Sequence, residues 1–581
     1  MNLKLKDQIR ACWMGKNIGG TLGAPFEGIK TKNNITFFEK IGDGTPLPND
    51  DLDLQLVNLH AIEQHGIFLT AQEFSEEWKE HVFFPYDEYG FALMNMRRGI
   101  CAPLSGYFNN PFSDCMGSPI RSELWGAVAA GRPNVAAYYA TRDAFVDHAG
   151  GEGVYGEIFF SVLESKAYFS TDILNIVKES LKYIPEDCRT SRVVKDTINW
   201  YENGIAYEKV RELIIENHGR DNFTDAPQNI AFTIVGLLYG QDFEDVLLKT
   251  VNMGYDTDCT GATAGSIYGI MYGTAGIPKK WIEPVGNGIV VSSQVKGIDY
   301  PLDIDELTER TMKIHFAIEK EADERFSDMS TYLVDSQRFS LPLNKNSGSE
   351  LEILFRGCDG PMAESGKEKL IDVSLYNHGI SEWDIEIGQE TSENKKYTSE
   401  VINLKPGENK KVTLTLCSCE CSYQTVKYPL FIRRIVNNDI WNEYKIPFVL
   451  PRSAKWKIDG EDVFCENGTV VFKTIGEHTA ETVLHIPFEK TMQLICASLY
   501  DYVIYVNNEL FIASTNAPEY MPAFHRAPKS QRKIIDLIPG DYKILIKIKT
   551  TEENAPLMLL PVSSIKNPSA SRYYLIECEI G

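Results

Sequence analysis

Two aspartates, Asp256 and Asp258, stand before a run of small and apolar residues in GYDTDCTGATAGSIYGIMYG, Gly254 to Gly273. Carboxylates at the mouth of a buried segment are costly unless they are paired or bound to a cation. A hard divalent cation such as magnesium takes oxygen ligands of this kind. Within the run, Gly261, Gly265, Gly269 and Gly273 recur at every fourth position. On a helix that spacing makes one bare stripe, against which another backbone can pack closely.

A second acidic cluster lies upstream in PNDDLDLQLVNLHAIEQHG. Asn49, Asp50, Asp51 and Asp53 open a segment in which Leu52, Leu56, Leu59 and Ile62 follow helical spacing. On one reading Asn49 or Asp50 is an N-cap and the acids suit the helix dipole. On the other, two oxygen-rich helix starts converge on one or two metal ions. Spacing along the chain leaves both open.

Three ordered blocks carry a family resemblance over roughly residues 5–330: CWMGKNIGGTLGAPFEG (Cys12 to Gly28), NDDLD, and GYDTDCTGATAG. Together they resemble the ADP-ribosylglycohydrolase family. The resemblance implies an all-α catalytic domain with a dinuclear site, usually magnesium, that hydrolyses a bond to C1 of a ribose. It implies metal ligation by Asn49, Asp50, Asp51, Asp256 and Asp258, with Cys259 at the position that completes the ligand set. Glu27 falls on the family's functional glutamate, and Glu27, Asp51 and Asp256 are the expected catalytic residues. Asn49 stands where a threonine is usual, and an amide oxygen can still ligate. Cys259 replaces a threonine or serine, and a thiol is a poor magnesium ligand. The implied cofactor is one or two magnesium ions, with manganese as the alternative. The ions would bind vicinal sugar hydroxyls and lower the pKa of an attacking water.

Two further segments offer substrate contacts. EYGFALMNMRRGICAPLSGYFNNPFSDCMGSPIRSELWG, Glu88 to Gly126, is dense in turn residues and reads as a long binding loop or a structured connector. Asn109, Asn110, Arg121 and Glu123 are its candidates for a polyhydroxylated substrate. RDAFVDHAGGEGVYGEIFF contains Gly151, Gly153 and Gly156 in a GxGxxG pattern. A helix reads before it and no strand does, so a dinucleotide fold is rejected. The segment resembles one found in part of the same family, with Asp147 and His148 as candidate pocket residues.

The elements that must position these groups change texture along the chain. Up to about residue 335 the pattern is helical, giving a catalytic domain over 1–335. Short alternating strands then predict an immunoglobulin-like sandwich over 342–451 and a jelly-roll-like sandwich over 452–581. In the second, YVIYVNNELF followed by IPGDYKILIKIK resembles the jelly-roll modules attached to many glycoside hydrolases. Such modules bind sugar or pack on a catalytic domain. Cys417, Cys419 and Cys421 alternate and read as strand residues sharing a face.

With 58 Lys and Arg against 81 Asp and Glu, the net charge is -23. That argues against a nucleic-acid backbone as partner and leaves a small-molecule or glycosidic substrate, ADP-ribosylated on the family's pattern. The N-terminus lacks the apolar core of a signal peptide. The uncharged run Thr260 to Ile277 is too rich in Gly, Ser and Thr to read as a membrane span. Twelve cysteines without a secretion signal read as reduced cytoplasmic thiols. Three functions are therefore expected in order: a metal-dependent hydrolase of ADP-ribosyl or related ribosyl linkages, a metal-dependent glycosidase for another sugar, and a non-catalytic sugar- or nucleotide-binding protein.

Overall fold

A computed structural model describes residues 2–39, 44–326, 336–342, 349–357, 360–363, 367–390, 397–398, 400–417, 421–422, 425–465, 468–523, 525–563 and 579–580. The expected domain limit at residue 335 and Cys419 lie outside these residues. So does most of the terminal segment YYLIECEI. The chain sorts into two compact units, Met1–Val82 with Phe112–Leu333, and Phe83–Pro111 with Val334–Gly581.

The first unit is helical. Its organising contact is between the N-terminal helix Asn2–Gly23 and the glycine-stripe helix Thr257–Tyr272. The two run antiparallel with backbones in near contact. A Cβ built on Gly15 would lie 2.1 Å from the Gly265 carbonyl oxygen, one on Gly19 2.0 Å from that of Gly261, and one on Gly23 2.2 Å from that of Thr257. Gly269 meets Ala11 in the same way at 2.2 Å. Only glycine, lacking a Cβ, permits this approach. The expected bare stripe thus has its partner, a matching stripe from the first block of the sequence. Gly273, read as part of the stripe, instead ends the helix with φ 68°, a left-handed conformation suited to glycine.

Helices Ser122–Val128, Pro133–Ala144, Glu152–Ala167 and Ala226–Tyr239 complete the body of this unit around buried Trp125, Tyr139, Phe159, Phe160 and Phe232. The GxGxxG segment is helix-entry packing. Gly151 is the N-cap of Glu152–Ala167, and a Cβ at Gly153 would strike the His148 ring at 2.2 Å. Among the described residues no helix is long and apolar enough to cross a membrane.

The second unit is built mainly of antiparallel sheets. Strands Ser336–Pro342, Ser349–Gly357, Lys369–Asn377 and Asn409–Leu416 form one sheet in that order. A second sheet is centred on Trp383–Gln389, Thr425–Val436 and Asp439–Pro451. Val373, Leu375 and Leu414 from the first share a core with Trp383, Ile387, Tyr428 and Phe448 from the second. Beyond Pro451 the described residues form a seven-stranded and a four-stranded sheet. In the seven-stranded one, Gly476–Ile486 pairs with Gly540–Thr550, which pairs with Asp501–Val506. The turn Asn507–Asn508 joins Asp501–Val506 to Glu509–Ser514, both asparagines holding positive φ. Cys417 follows its strand half-buried, its N–H donating to Gln389 Oε1 at 2.8 Å.

The segment from Glu88, read as a long binding loop or a structured connector, opens with a helix. Asp87–Arg97 is a helix with Glu88 to Met96 buried. Asn95 Nδ2 donates to the Ser105 and Phe108 carbonyls at 2.8 and 2.6 Å, folding the following residues back on it. Ile100, Leu104 and Phe108 then enter the apolar core of the first pair of sheets. Turn-forming residues concealed this, because the partners of those apolar side chains lie several hundred residues away.

Candidate metal and active site

Asn49 is the N-cap of helix Asp50–His65. Its Oδ1 accepts the Asp51 N–H at 2.7 Å, which satisfies an orphan donor of the first turn. The loop before it is held to the N-terminal helix by the Leu47 N–H donating to Thr21 Oγ1 at 3.2 Å. Gly20 leaves room there, since a Cβ would lie 2.5 Å from Asn49 Nδ2. Asp51 thereby points inward and is fully buried, while Asp50 is half-buried.

The antiparallel glycine contact does the rest. It sets the C-terminal end of helix Asn2–Gly23 beside the start of Thr257–Tyr272. Glu27, in the turn after the first helix, comes within 4.8 Å of carboxylate oxygens of Asp256 and Asp258. Asp51, Asp258 and Cys259 form a second such group at the same limit. Glu27 is exposed and the other four are buried. Two acidic helix starts therefore converge.

Metal ligands can be tested against the donors these oxygens already have. Asp51 Oδ1, Asp256 Oδ2 and Asp258 Oδ1 are buried and accept no hydrogen bond among the described residues. Burial pushes Asp51 up to about 7 although Lys16 pulls it back, and burial followed by the Glu27 charge pushes Asp256 and Asp258 well above the usual carboxylate range. Clustered, desolvated carboxylates with unused oxygens fit a hard divalent ion, which would restore their ionised state. Cys259 is the exception. Its Sγ is 3.7 Å from Asp51 Oδ2, and burial raises its thiol well above the ordinary value. It borders the group as a neutral thiol. Thr260, the next hydroxyl, donates to the Asp256 carbonyl at 2.9 Å and stays on the helix backbone.

Asp53 faces elsewhere. Both its oxygens accept the Ser292 N–H at 3.2 Å, and burial pushes it up to about 7. It ties the helix to the segment before Asp303.

Two residues not singled out by type, Lys16 and Gln55, hold Asp51 from behind. Lys16 Nζ lies 3.5 Å from Asp51 Oδ1 and donates to Glu123 Oε1 at 3.0 Å and to the Ile120 carbonyl at 2.9 Å. Burial opposes its charge, but Glu123 and Asp51 outweigh it and hold the ammonium protonated. Gln55 Nε2 donates to the Asp51 carbonyl at 2.8 Å and to Glu123 Oε2 at 2.9 Å. Lys16 sits inside the block Cys12 to Gly28, between Gly15 and Gly19; a charge on a glycine-striped helix face was the available signal.

Of the expected substrate-binding residues, Glu123 thus belongs to the support of Asp51. Arg121 is fully buried, pairing with Asp147 at 2.8 Å and Asp143 at 3.1 Å and lying over the Trp78 ring. Burial alone would raise Asp147, but Arg121 and His148 hold it down at about 2. His148 Nδ1 is 2.9 Å from Asp147 Oδ1. Asn109 and Asn110 belong to the second unit, where Asn110 Nδ2 donates to the Gly106 carbonyl at 2.8 Å.

Residues 1–316 match the ADP-ribosylglycohydrolase family. An uncharacterised protein of Archaeoglobus fulgidus is 26% identical over 293 residues, 48% of this chain and 92% of that protein. The ADP-ribosylarginine hydrolase Tri1 of Pseudomonas putida is 41% identical over 44 residues, 8% of this chain and 12% of that protein. A solved ADP-ribosylglycohydrolase-related protein complex aligns with a TM-score of 0.38 at 19% identity, covering 55% of this chain and 99% of that one.

Proposed function

The chain belongs to the ADP-ribosylglycohydrolase family, and from that premise we propose that its helical unit is a magnesium-dependent hydrolase of a glycosidic bond at C1 of an ADP-ribosyl or related ribosyl group. The observation that carries the reading is the convergence of Glu27, Asp51, Asp256 and Asp258, with three buried carboxylate oxygens that accept no hydrogen bond among the described residues.

Asn49, Asp50, Asp51, Asp256 and Asp258 would hold the metal, with Cys259 at its edge. A bound divalent ion supplies Lewis acidity toward sugar hydroxyls and positive charge for a phosphate-bearing substrate beside this group of carboxylates. Lys16 and Gln55 keep Asp51 aimed into the group. Asp256 and Asp258 are fixed by their place at a helix start that cannot shift against the N-terminal helix. Glu27 is the exposed carboxylate of the set and the one a substrate reaches first. Its role is to orient the sugar at C1 or carry a proton to or from the reacting water.

The test is hydrolysis of a panel of ADP-ribosyl, ribosyl and other glycosidic conjugates by the full chain, with magnesium and with chelator. Release of free ADP-ribose or ribose that needs magnesium supports the reading. Glu27→Gln should reduce that rate strongly while the fold stays intact, since the residue is exposed. Cleavage only of non-ribosyl glycosides would move the protein to another sugar. Metal-independent turnover, or unchanged turnover in Asp258→Asn, would overturn the proposed site.

A further inference from the structure

A further group of side chains that could hold a metal ion lies in the helical unit, and two of its three members are imidazoles, which the acidic site lacks. His60 comes from helix Asp50–His65, and Glu77 and His81 lie one turn apart on helix Ala71–His81. Their ligand atoms fall within 4.8 Å of one another. His60 Nε2 is 3.6 Å and His81 Nε2 3.5 Å from the same oxygen, Glu77 Oε2. Both separations exceed hydrogen-bond length. They match the edge of a zinc tetrahedron, about 3.3–3.6 Å for nitrogen and oxygen ligands near 2.0–2.2 Å from the ion. Glu77 Oε2 is buried and accepts no hydrogen bond among the described residues.

The surrounding contacts orient these groups as supporting residues orient metal ligands. His81 Nδ1 is 2.8 Å from the Lys296 carbonyl oxygen. A carbonyl can only accept, so Nδ1 carries a proton and Nε2 is the nitrogen turned to the shared centre. Glu77 Oε1 is taken by His65 Nε2 at 2.8 Å, which leaves Oε2 for the shared centre. The His60 and His81 rings meet edge to face with centroids 5.1 Å apart. The three side chains are 8 to 14% exposed, so the group is sheltered yet reachable.

We propose that His60, Glu77 and His81 bind a divalent transition-metal ion of the zinc type, which staples helix Asp50–His65 to helix Ala71–His81. Two imidazoles and one carboxylate favour zinc, cobalt, nickel or copper over magnesium, whose preference is for oxygen alone. The same helix that offers Asp50 and Asp51 at its start would thus be pinned near its end.

The experiment uses the full chain, stripped with chelator and held in excess magnesium so that the acidic site does not compete. Zinc is titrated against a chromophoric chelator, and cobalt binding is followed by visible absorption. One zinc per chain, a raised melting temperature on zinc addition, and a cobalt spectrum of four- or five-coordinate nitrogen-containing ligation are expected. The double variant His60→Gln, His81→Gln should lose zinc affinity by more than a hundredfold, while Asp258→Asn keeps it. Zinc binding by a folded double variant equal to that of the unmodified chain would overturn the proposal. If the double variant fails to fold, the unmodified chain decides: no stoichiometric zinc, or a cobalt spectrum of six oxygen ligands, overturns it equally.

Discussion

Gly19 and Gly261 meet backbone to backbone, with the Cβ position of the first 2.0 Å from the carbonyl oxygen of the second. Since this contact sets the spacing between the two helices that bring Glu27 to Asp256 and Asp258, it governs the site as well as the core. Gly19→Ala should force the helices apart and cost roughly 1–3 kcal/mol or more, the range of overpacked cores. Gly288→Ala, where an added methyl group meets nothing within 4 Å, should stay within about 0.5 kcal/mol. Thermal unfolding of the two variants, with magnesium titration of whichever remains folded, checks both the packing and its link to metal affinity. Equal stability of the two would refute the close-contact argument.

Lys16 is the cation beside Asp51 among the described residues, and it also answers Glu123. Lys16→Met keeps the length of the side chain and removes the charge. It leaves two buried carboxylates short of their partner, which typically costs about 3–5 kcal/mol. Lys16→Met combined with Glu123→Gln should recover part of the loss, because one of the stranded charges goes with it. A double-mutant cycle by chemical denaturation measures the recovery, and strict additivity would show that the pair does not interact.

Cys259 offers sulfur where the site favours oxygen. With its Sγ 3.7 Å from Asp51 Oδ2, replacement by threonine places a hydroxyl at the edge of the carboxylate group. Cys259→Thr should raise magnesium affinity or the number of magnesium ions bound, because a hydroxyl is the harder ligand. Calorimetric titration of both proteins at matched magnesium reads the change. Lower stability with unaltered metal stoichiometry would assign Cys259 to packing alone.

Acid should weaken the second unit through His525. Burial, then Arg526, pulls this imidazole from 6.5 down to about 4, so the folded state resists its protonation. Between those values the unfolded chain binds more protons, and stability falls as pH falls. Asp87, 3.7 Å away, acts in the opposite sense. Burial pushes it up to about 6 despite its pairing with Arg526, and its penalty fades as pH drops toward 3.8. His525→Gln removes only the first effect. Its melting temperature relative to the unmodified chain should be flat above pH 7 and rise as pH approaches 4. A difference that does not vary with pH would show that His525 titrates normally.

The sequence by itself determined the chemistry on offer. Carboxylates at two helix starts, a bare glycine stripe and a first block ending in Glu27 are local patterns, set by residue type and by the helix period. They were enough for the ligand candidates and for a helical region followed by strands. The tertiary structure alone decided which patterns meet. The partner of the Gly261 stripe is the N-terminal helix, and the antiparallel sense of that pairing brings Glu27 to Asp256. Arg121, Glu123 and Asp147 looked suited to a substrate because polar residues in turns usually face water. They are buried, and their charges are answered within the fold: Glu123 by Lys16, far back in the chain, and Arg121 by Asp143 and Asp147. Asn109 and Asn110 fell outside the helical unit for a related reason. Ile100, Leu104 and Phe108 around them bury their surface among strands far along the chain, and hydrophobic burial is proportional to area removed from water whatever the sequence separation. Local periodicity specifies helices and strands; the long-range pairing of charges and apolar faces appears only once the chain has closed on itself.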